Sequence, residues 1–226
     1  MTIIEPRFQI LSPQDDLAGV VALRTIERAA RISHRSEDKQ TDDSWQRFIQ
    51  FVVMEKGDWS VTEHVSATVV FRVDRGVTHE LVRHRLFSFT QESTRFVNYN
   101  KRAMEFVRPA VFDDMDPETR NQSATYLGWR DAMWQAQVSY EQMVQGGFPP
   151  QAARSLLPNA LAATIVVTGN LRNWRQLFMQ RTTKETHPDF KRVMIPLLKE
   201  FQARIPIIYD DLEPDQKQSI SMARTR

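Results

Sequence analysis

Residues able to do chemistry concentrate in one run, Arg83-His84-Arg85-Leu86-Phe87-Ser88-Phe89-Thr90-Gln91-Glu92-Ser93-Thr94-Arg95. Neighbouring side chains on a helix or strand do not share a face, so Arg83, His84 and Arg85 are poorly arranged for one ion pair. They are well arranged to reach around a large anion. Forked guanidiniums, Ser and Thr hydroxyls and the Gln91 amide are the groups that hold phosphates and a planar base. The competing reading is a solvated, arginine-rich helix face. Leu86, Phe87 and Phe89 interrupt the run and argue that part of it is buried, where an arginine needs an anionic or hydrogen-bonding partner.

Two later stretches add to it. In Pro150–Pro158, Arg154 follows Ala153 and precedes Leu156 and Leu157, so it either meets an anion or lays its stem over the core. In Asn170–Arg181, Arg172 and Gln176 are four apart and share a helix face, with Asn170 at the helix N-terminus, where backbone donors favour anions. The alternative is that Asn170 only caps, and Arg172 and Arg175 are solvated.

Several chemistries are excluded. With no cysteine there is no disulfide, thiolate metal site or cysteine nucleophile. The five histidines form no His-Glu-x-x-His, and His79 and His84 lie off a common face, so no metal is expected. No glycine-rich phosphate loop or dinucleotide fingerprint occurs, which leaves side chains and helix ends to hold any nucleotide. Ser93 is not in a nucleophile-elbow context.

The elements that must position these groups read as follows. Ser12-Pro13-Gln14-Asp15-Asp16 starts a helix running to about Ile32, with Ser12 as the cap. A second helix covers Trp45–Glu55 and stops at Gly57. Val65–Val73 is a β-branched strand. A turn near Asp74-Arg75-Gly76 leads to a helix over Val77–Arg85 that carries the Arg-His-Arg run at its end. Phe106–Phe112 reads as a short edge strand because Pro109 cannot donate to a ladder. One long helix opens at Asp116-Pro117 and ends at Gly146-Gly147, with Tyr126, Trp129, Met133, Ala136, Tyr140 and Met143 on its apolar side. A short helix follows from Pro149-Pro150 to Leu157, then a strand over Ala162–Thr168. Asn170 caps a helix over Leu171–Arg181, and a last helix spans Pro188–Ala203. Helices clustered around few strands indicate an α+β fold, a central sheet of few strands surrounded by helices.

At 226 residues, 41% hydrophobic and 26% charged, the chain has room for one sizeable core and reads as a soluble globular protein. One catalytic domain over 1–214 is expected, followed by a polar, mobile tail at 215–226. No membrane span and no signal-peptide layout are seen, so the cytoplasm is the expected location. A net charge of +2 gives too small a footprint for coating nucleic acid.

Arg83-His84-Arg85, seven residues, Ser93 and then Arg95 resemble the signature of the flavin-dependent thymidylate synthases. The resemblance extends to Arg28-Ala29-Ala30-Arg31-Ile32-Ser33, Trp59-Ser60-Val61-Thr62-Glu63-His64, Arg154–Pro158, Asn170-x-Arg172 and Arg181, in order along the chain. It implies a homotetramer that binds FAD and converts dUMP to dTMP, with methylenetetrahydrofolate as carbon donor and NADPH as reductant. By similarity, Ser60, Arg83, His84, Arg85, Gln91, Asn170, Arg172 and Gln176 contact FAD. Glu80, Arg83, Gln91, Glu92, Ser93, Thr94, Arg95 and Arg154 surround dUMP, and Arg181 lies against the pyrimidine. The chain differs from common family variants at Asp58, where His is often found, at Glu80 (Gln), Gln91 (Glu), Phe96 (Tyr) and Gln176 (Asn).

The absence of cysteine bears on mechanism, since the thiolate route to thymidylate attacks C6 of dUMP. The alternative makes C5 nucleophilic by stabilising an anionic pyrimidine, a task for a fixed guanidinium, and Arg181 is the expected group. Ser93 is assigned to ligand binding, because an unactivated hydroxyl is a weak nucleophile. A rival reading is a binding module, either an RNA binder using the aromatics interleaved with the arginines or a nucleotide sensor without catalysis.

Overall fold

The computed structural model describes residues 1–99 and 103–215. Its first long signal is alternation. From Ser66 to Asp74, every second side chain is buried (Ala67, Val69, Phe71, Val73), which is what a strand with one covered face requires. The strands are β1 (Thr2–Ile4), β2 (Arg7–Ser12), β3 (Ser66–Asp74), β4 (Ser88–Gln91), β5 (Glu105–Val107) and β6 (Ala162–Asn170). β1 and β5 form a parallel pair in the register Ile3↔Phe106, and the other four form a sheet in the order β2-β3-β6-β4. The pairs Leu171 N to Val65 O and Arg75 N to Asn159 O make β3 and β6 antiparallel. The helices are α1 (Asp16–Ile32), α2 (Ser44–Ile49, continued by π turns over Gln50–Glu55), α3 (Arg75–Leu81), α4 (Pro117–Gln122), α5 (Ala124–Gln145), α6 (Pro150–Ala153), α7 (Leu171–Arg181) and α8 (Pro188–Arg204). The fold is α+β, and among the described residues no helix is long and apolar enough to cross a membrane.

The chain divides into two compact units, and β3 and β6 contribute to both. The first comprises 1–7, 71–83 and 89–166, with a core of Tyr99, Met104, Phe106, Met133, Tyr140, Ala153 and Leu161. Tyr99 and Tyr140 meet edge to face at 5.8 Å. The second comprises 8–70, 84–88 and the described residues from 167 on; Trp174, Phe178, Phe201 and Tyr209 pack tilted or edge to face within it at centroid distances of 5.1–5.9 Å. The Trp174 indole and Tyr209 hydroxyl donate to the backbone oxygens of Ala67 and Leu171, each at 3.0 Å, so both rings are buried with their polar ends satisfied.

Several local expectations are corrected. Asp15, not Ser12, caps α1: its Oδ1 accepts from Ala18 N at 2.8 Å, and Ser12 is the last residue of β2. The long helix is broken at Ser123, whose extended backbone and side-chain oxygen start α5 afresh. Arg75 and Gly76 are not a turn but the first turn of α3, because Asp74 caps it through Val77 N at 2.9 Å. α3 then stops at Leu81, so Arg83-His84-Arg85 lies beyond the helix. The edge strand ends at Val107, ahead of Pro109, and Ala110–Phe112 is a 3-10 turn. β1, β2 and β4 lie where the sequence predicts no strand. The helix over Leu171–Arg181 and its Asn170 cap agree with the expectation. Of the expected tail, all but Asp215 lies outside the described residues.

Candidate functional site

The first unit holds Glu80, Arg83, Gln91, Glu92, Ser93, Thr94, Arg95 and Arg154. Arg83, Arg95 and Arg154 are exposed, and no carboxylate among the described residues pairs with them. Arg95 lies 5.4 Å over the exposed Phe96 ring. Glu92 is committed elsewhere. Its carboxylate meets Arg72 at 2.7 Å and accepts from the Tyr99 hydroxyl at 3.0 Å, while Arg72 also grips Glu105 at 2.6 Å. Burial and the adjacent Glu92 push the Tyr99 phenol well above its ordinary value, so it stays a donor. Thr94 is buried, and the Gln91 amide donates to Thr78 Oγ1 at 3.1 Å. The Ser93 oxygen accepts from Arg95 N at 3.3 Å, and no histidine or carboxylate among the described residues bonds to it.

The second unit holds Ser60, His84, Arg85, Asn170, Arg172, Gln176 and Arg181. Asn170 Oδ1 accepts from Asn173 N at 2.8 Å, so its side chain caps α7 as a cap should. Arg172 and Gln176 are both exposed on α7, and Arg172 pairs with Glu63 at 2.6 Å. Glu63 and Ser60 belong to the 3-10 turn Trp59–His64, which is fastened to α7 a second time where the Arg175 guanidinium lies 4.3 Å over the Trp59 ring. Arg175 is not solvated: it forks onto Asp211 and donates to Ile208 O. Ser60 donates to Asp58 at 2.7 Å. Arg85 is exposed.

The segment His84–Phe87 meets α7 through three contacts and β6 through a fourth. Arg181 Nε donates to His84 Nε2 at 3.0 Å. Asn173 Nδ2 donates to Leu86 O at 3.0 Å. Phe87 stands edge-on to Trp174 at 5.0 Å. The fourth is with Gly169, at whose position a Cβ would come within 2.4 Å of the Phe87 ring, so only glycine admits that approach. Burial, and then the Arg181 charge, lower the His84 pKa from 6.5 to about 4.

Sequence reasoning missed Arg72, Tyr99 and Glu105, and it missed the His84–Arg181 contact. Arg72 carried a readable signal, a charge inside an apolar strand, which requires a partner. The His84 contact joins positions 97 apart and had none. A cleft of about 730 Å³ lined by Arg24, Arg28, Gln40 and Asp42 contains none of the expected site residues, and its Arg24 and Asp42 are paired at 2.6 Å.

Comparison with known proteins supplies the context. Residues 20–207 match the family model described as thymidylate synthase complementing protein. The chain is 32% identical over 215 residues to a flavin-dependent thymidylate synthase of Corynebacterium glutamicum, covering 88% of this chain and 82% of that protein. It is 34% identical over 206 residues to the Mycobacteroides abscessus protein of the same name, covering 83% and 78%. Among solved structures, the UMP/dUMP methylase PolB of Streptomyces cacaoi, bound with 5-Br dUMP, superposes with a TM-score of 0.74 over 92% of this chain and 95% of that one. At 19% identity this establishes a shared fold.

Proposed function

The chain belongs to the thymidylate synthase complementing protein family, and from that membership we propose that it is an enzyme methylating dUMP to dTMP with a flavin cofactor. The flavin is FAD, NADPH reduces it, and methylenetetrahydrofolate donates the carbon. Residues 1–214 act as one catalytic domain, the protein works as a homotetramer, and the cytoplasm is its location.

The observation that carries this reading is the hydrogen bond from Arg181 to His84, which ties the expected pyrimidine-side arginine to the middle of Arg83-His84-Arg85. The exposed donors of the second unit fit the cofactor: Arg85 and Arg172 offer forked cations for a pyrophosphate, and Ser60 and Gln176 a hydroxyl and an amide for its sugars or rings. The exposed pair with Glu63 is worth about 0–1 kcal/mol, so Arg172 can exchange it for a phosphate. When bound, FAD supplies the hydride that completes the methyl group.

The chain's own residues do the rest. Arg83, Arg95 and Arg154 hold the dUMP phosphate as charge-assisted donors, with the Ser93 hydroxyl beside them. Arg181 stabilises the negative charge that develops on the pyrimidine as C5 becomes nucleophilic, which takes the place of the covalent attack on C6 that a cysteine thiolate would make. The test is an NADPH-oxidation assay with FAD, dUMP and methylenetetrahydrofolate, scored for dTMP. Arg181→Ala should abolish nearly all dTMP formation while the protein still binds flavin and stays yellow. Turnover retained in that variant would remove Arg181 from the chemistry. Colourless protein that binds RNA with a steep salt dependence would replace this reading with a binding module.

A further inference from the structure

Arg181 ends α7 with its Nε 3.0 Å from His84 Nε2. A guanidinium keeps its protons at any working pH, so Nε is the donor and His84 Nε2 must present a lone pair. The imidazole is therefore neutral, with its one proton on Nδ1. A second side of the guanidinium is located by Phe190, whose ring lies 5.3 Å from its central carbon. His84 is itself held. Phe87 N returns to His84 O at 3.2 Å, and Asn173 and Trp174 fix Leu86 and Phe87 on the same helix that ends in Arg181. The acceptor and donor thus sit on one braced assembly within the second unit. Arg181 is the charge that acts on the imidazole, and Arg83 and Arg85 flank it along its own segment.

We propose that His84 is the positioning residue for Arg181: by accepting from Nε it fixes the plane of the guanidinium that meets the substrate. This rests on the role given to Arg181 above, and it gives the middle residue of Arg83-His84-Arg85 a task apart from touching flavin. An arginine that stabilises a charge formed only during reaction is effective when its orientation is set beforehand. A guanidinium whose plane is set less firmly binds the ground state nearly as well and the developing anion worse. His84 therefore acts on kcat more than on KM.

Two measurements test this with the full-length protein. In protein labelled with 15N-histidine, the His84 resonances, identified by their loss in His84→Gln, should report an unprotonated Nε2 and a protonated Nδ1 at neutral pH. In Arg181→Gln the His84 titration midpoint should rise from about 4 part of the way to 6.5, since the charge is gone and the burial remains. A proton on Nε2, or a midpoint indifferent to Arg181→Gln, overturns the proposal, and neither readout needs substrate or flavin. In the dTMP assay, His84→Ala should lower kcat about 10- to 100-fold and move KM for dUMP by less than about threefold. His84→Gln, whose amide oxygen can stand where Nε2 stands, should recover about tenfold of that loss, and His84→Asn should not. Equal losses in Gln and Asn overturn the proposal. If the unmodified protein makes no dTMP from dUMP, the reading of function fails, while the imidazole spectrum still decides whether His84 holds Arg181.

Discussion

Glu92 and Arg72 stand 2.7 Å apart, and their side chains are only 20% and 17% exposed, so a carboxylate of the signature run is spent on holding a strand in place. The pair does not end there. Arg72 reaches on to Glu105 at 2.6 Å and Thr164 at 3.1 Å, and Tyr99 donates to the other Glu92 oxygen. Each member is satisfied by the next, which is the condition under which a half-buried charged cluster is stable.

Glu92→Ala leaves Arg72 with one carboxylate fewer and the Tyr99 hydroxyl without its acceptor. The expected loss is about 2–3 kcal/mol, or about 4–12 °C in Tm for a chain of this size. Glu92→Gln keeps an acceptor for Tyr99 and should lose about half as much. Thermal melts of the ligand-free protein check both. An unchanged Tm with weakened dUMP binding would return Glu92 to the substrate role that the resemblance implies.

The exposed partner of that contrast is Arg172. Its pair with Glu63 is about half exposed on both sides, and disrupting it should cost stability little, under about 1 kcal/mol. Arg172→Ala should instead weaken FAD binding by about tenfold, the value of one charge-assisted contact to a phosphate. Glu63→Gln should leave FAD binding equal or tighter, because it removes the competitor for the guanidinium. Flavin fluorescence titration reads both variants. A large fall in Tm with no change in flavin affinity would make Arg172 a structural residue.

What the sequence made legible follows from how local each signal is. The cap, length and end of α7 lie within a dozen consecutive residues, and Asn170 and the apolar spacing predict Leu171–Arg181 as found. The burial of β3 follows from alternation in the same way. The end of α3 at Leu81 has no local signal, because no Gly or Pro lies between Val77 and Arg85 to mark the point where the chain turns: Arg83 N bonds back to Glu80 O, and Phe87 N to His84 O. That turn places His84 against Arg181, a contact set by tertiary packing that no window of sequence contains. Among the expected site residues, exposure divided Arg83, Arg85, Arg95 and Arg154 from Glu92, which is paired, and Thr94, which is buried. Residue type alone could not make that division.

Gly169 is the narrowest point in the bracing of the signature run. Alanine there would put a methyl within 2.4 Å of the Phe87 ring, so the ring must move or β6 must shift. Overpacking of this kind costs about 1–3 kcal/mol. Phe87 also carries the 5.0 Å contact with Trp174, so its displacement should disturb His84 three residues earlier. Gly169→Ala should therefore lower Tm and shift the His84 titration together. Pairing the change with Phe87→Leu should recover part of the Tm, since the smaller side chain yields the space. Loss without such recovery would place the strain in the backbone of β6 rather than against the ring.

The depressed His84 pKa also makes a prediction for the stability of the whole chain. The group is near 6.5 when unfolded and about 4 when folded, because burial and the Arg181 charge oppose its protonation. Between those values the unfolded chain binds a proton that the folded chain refuses. The contribution is present above 6.5 and is lost as pH falls through about 4, so stability should decline across that window. Carboxylates add their own acid dependence, which makes the informative quantity the difference between variants. Urea midpoints measured at pH 7.5, 6.0 and 5.0 should fall less steeply for His84→Gln than for the unmodified chain, because the glutamine cannot titrate. Arg181→Gln should lie between the two, since removing the charge relieves only the smaller of the two causes. Parallel slopes in all three proteins would mean that the imidazole titrates alike in the folded and unfolded chain, and that the contact between His84 and Arg181 does not persist in solution.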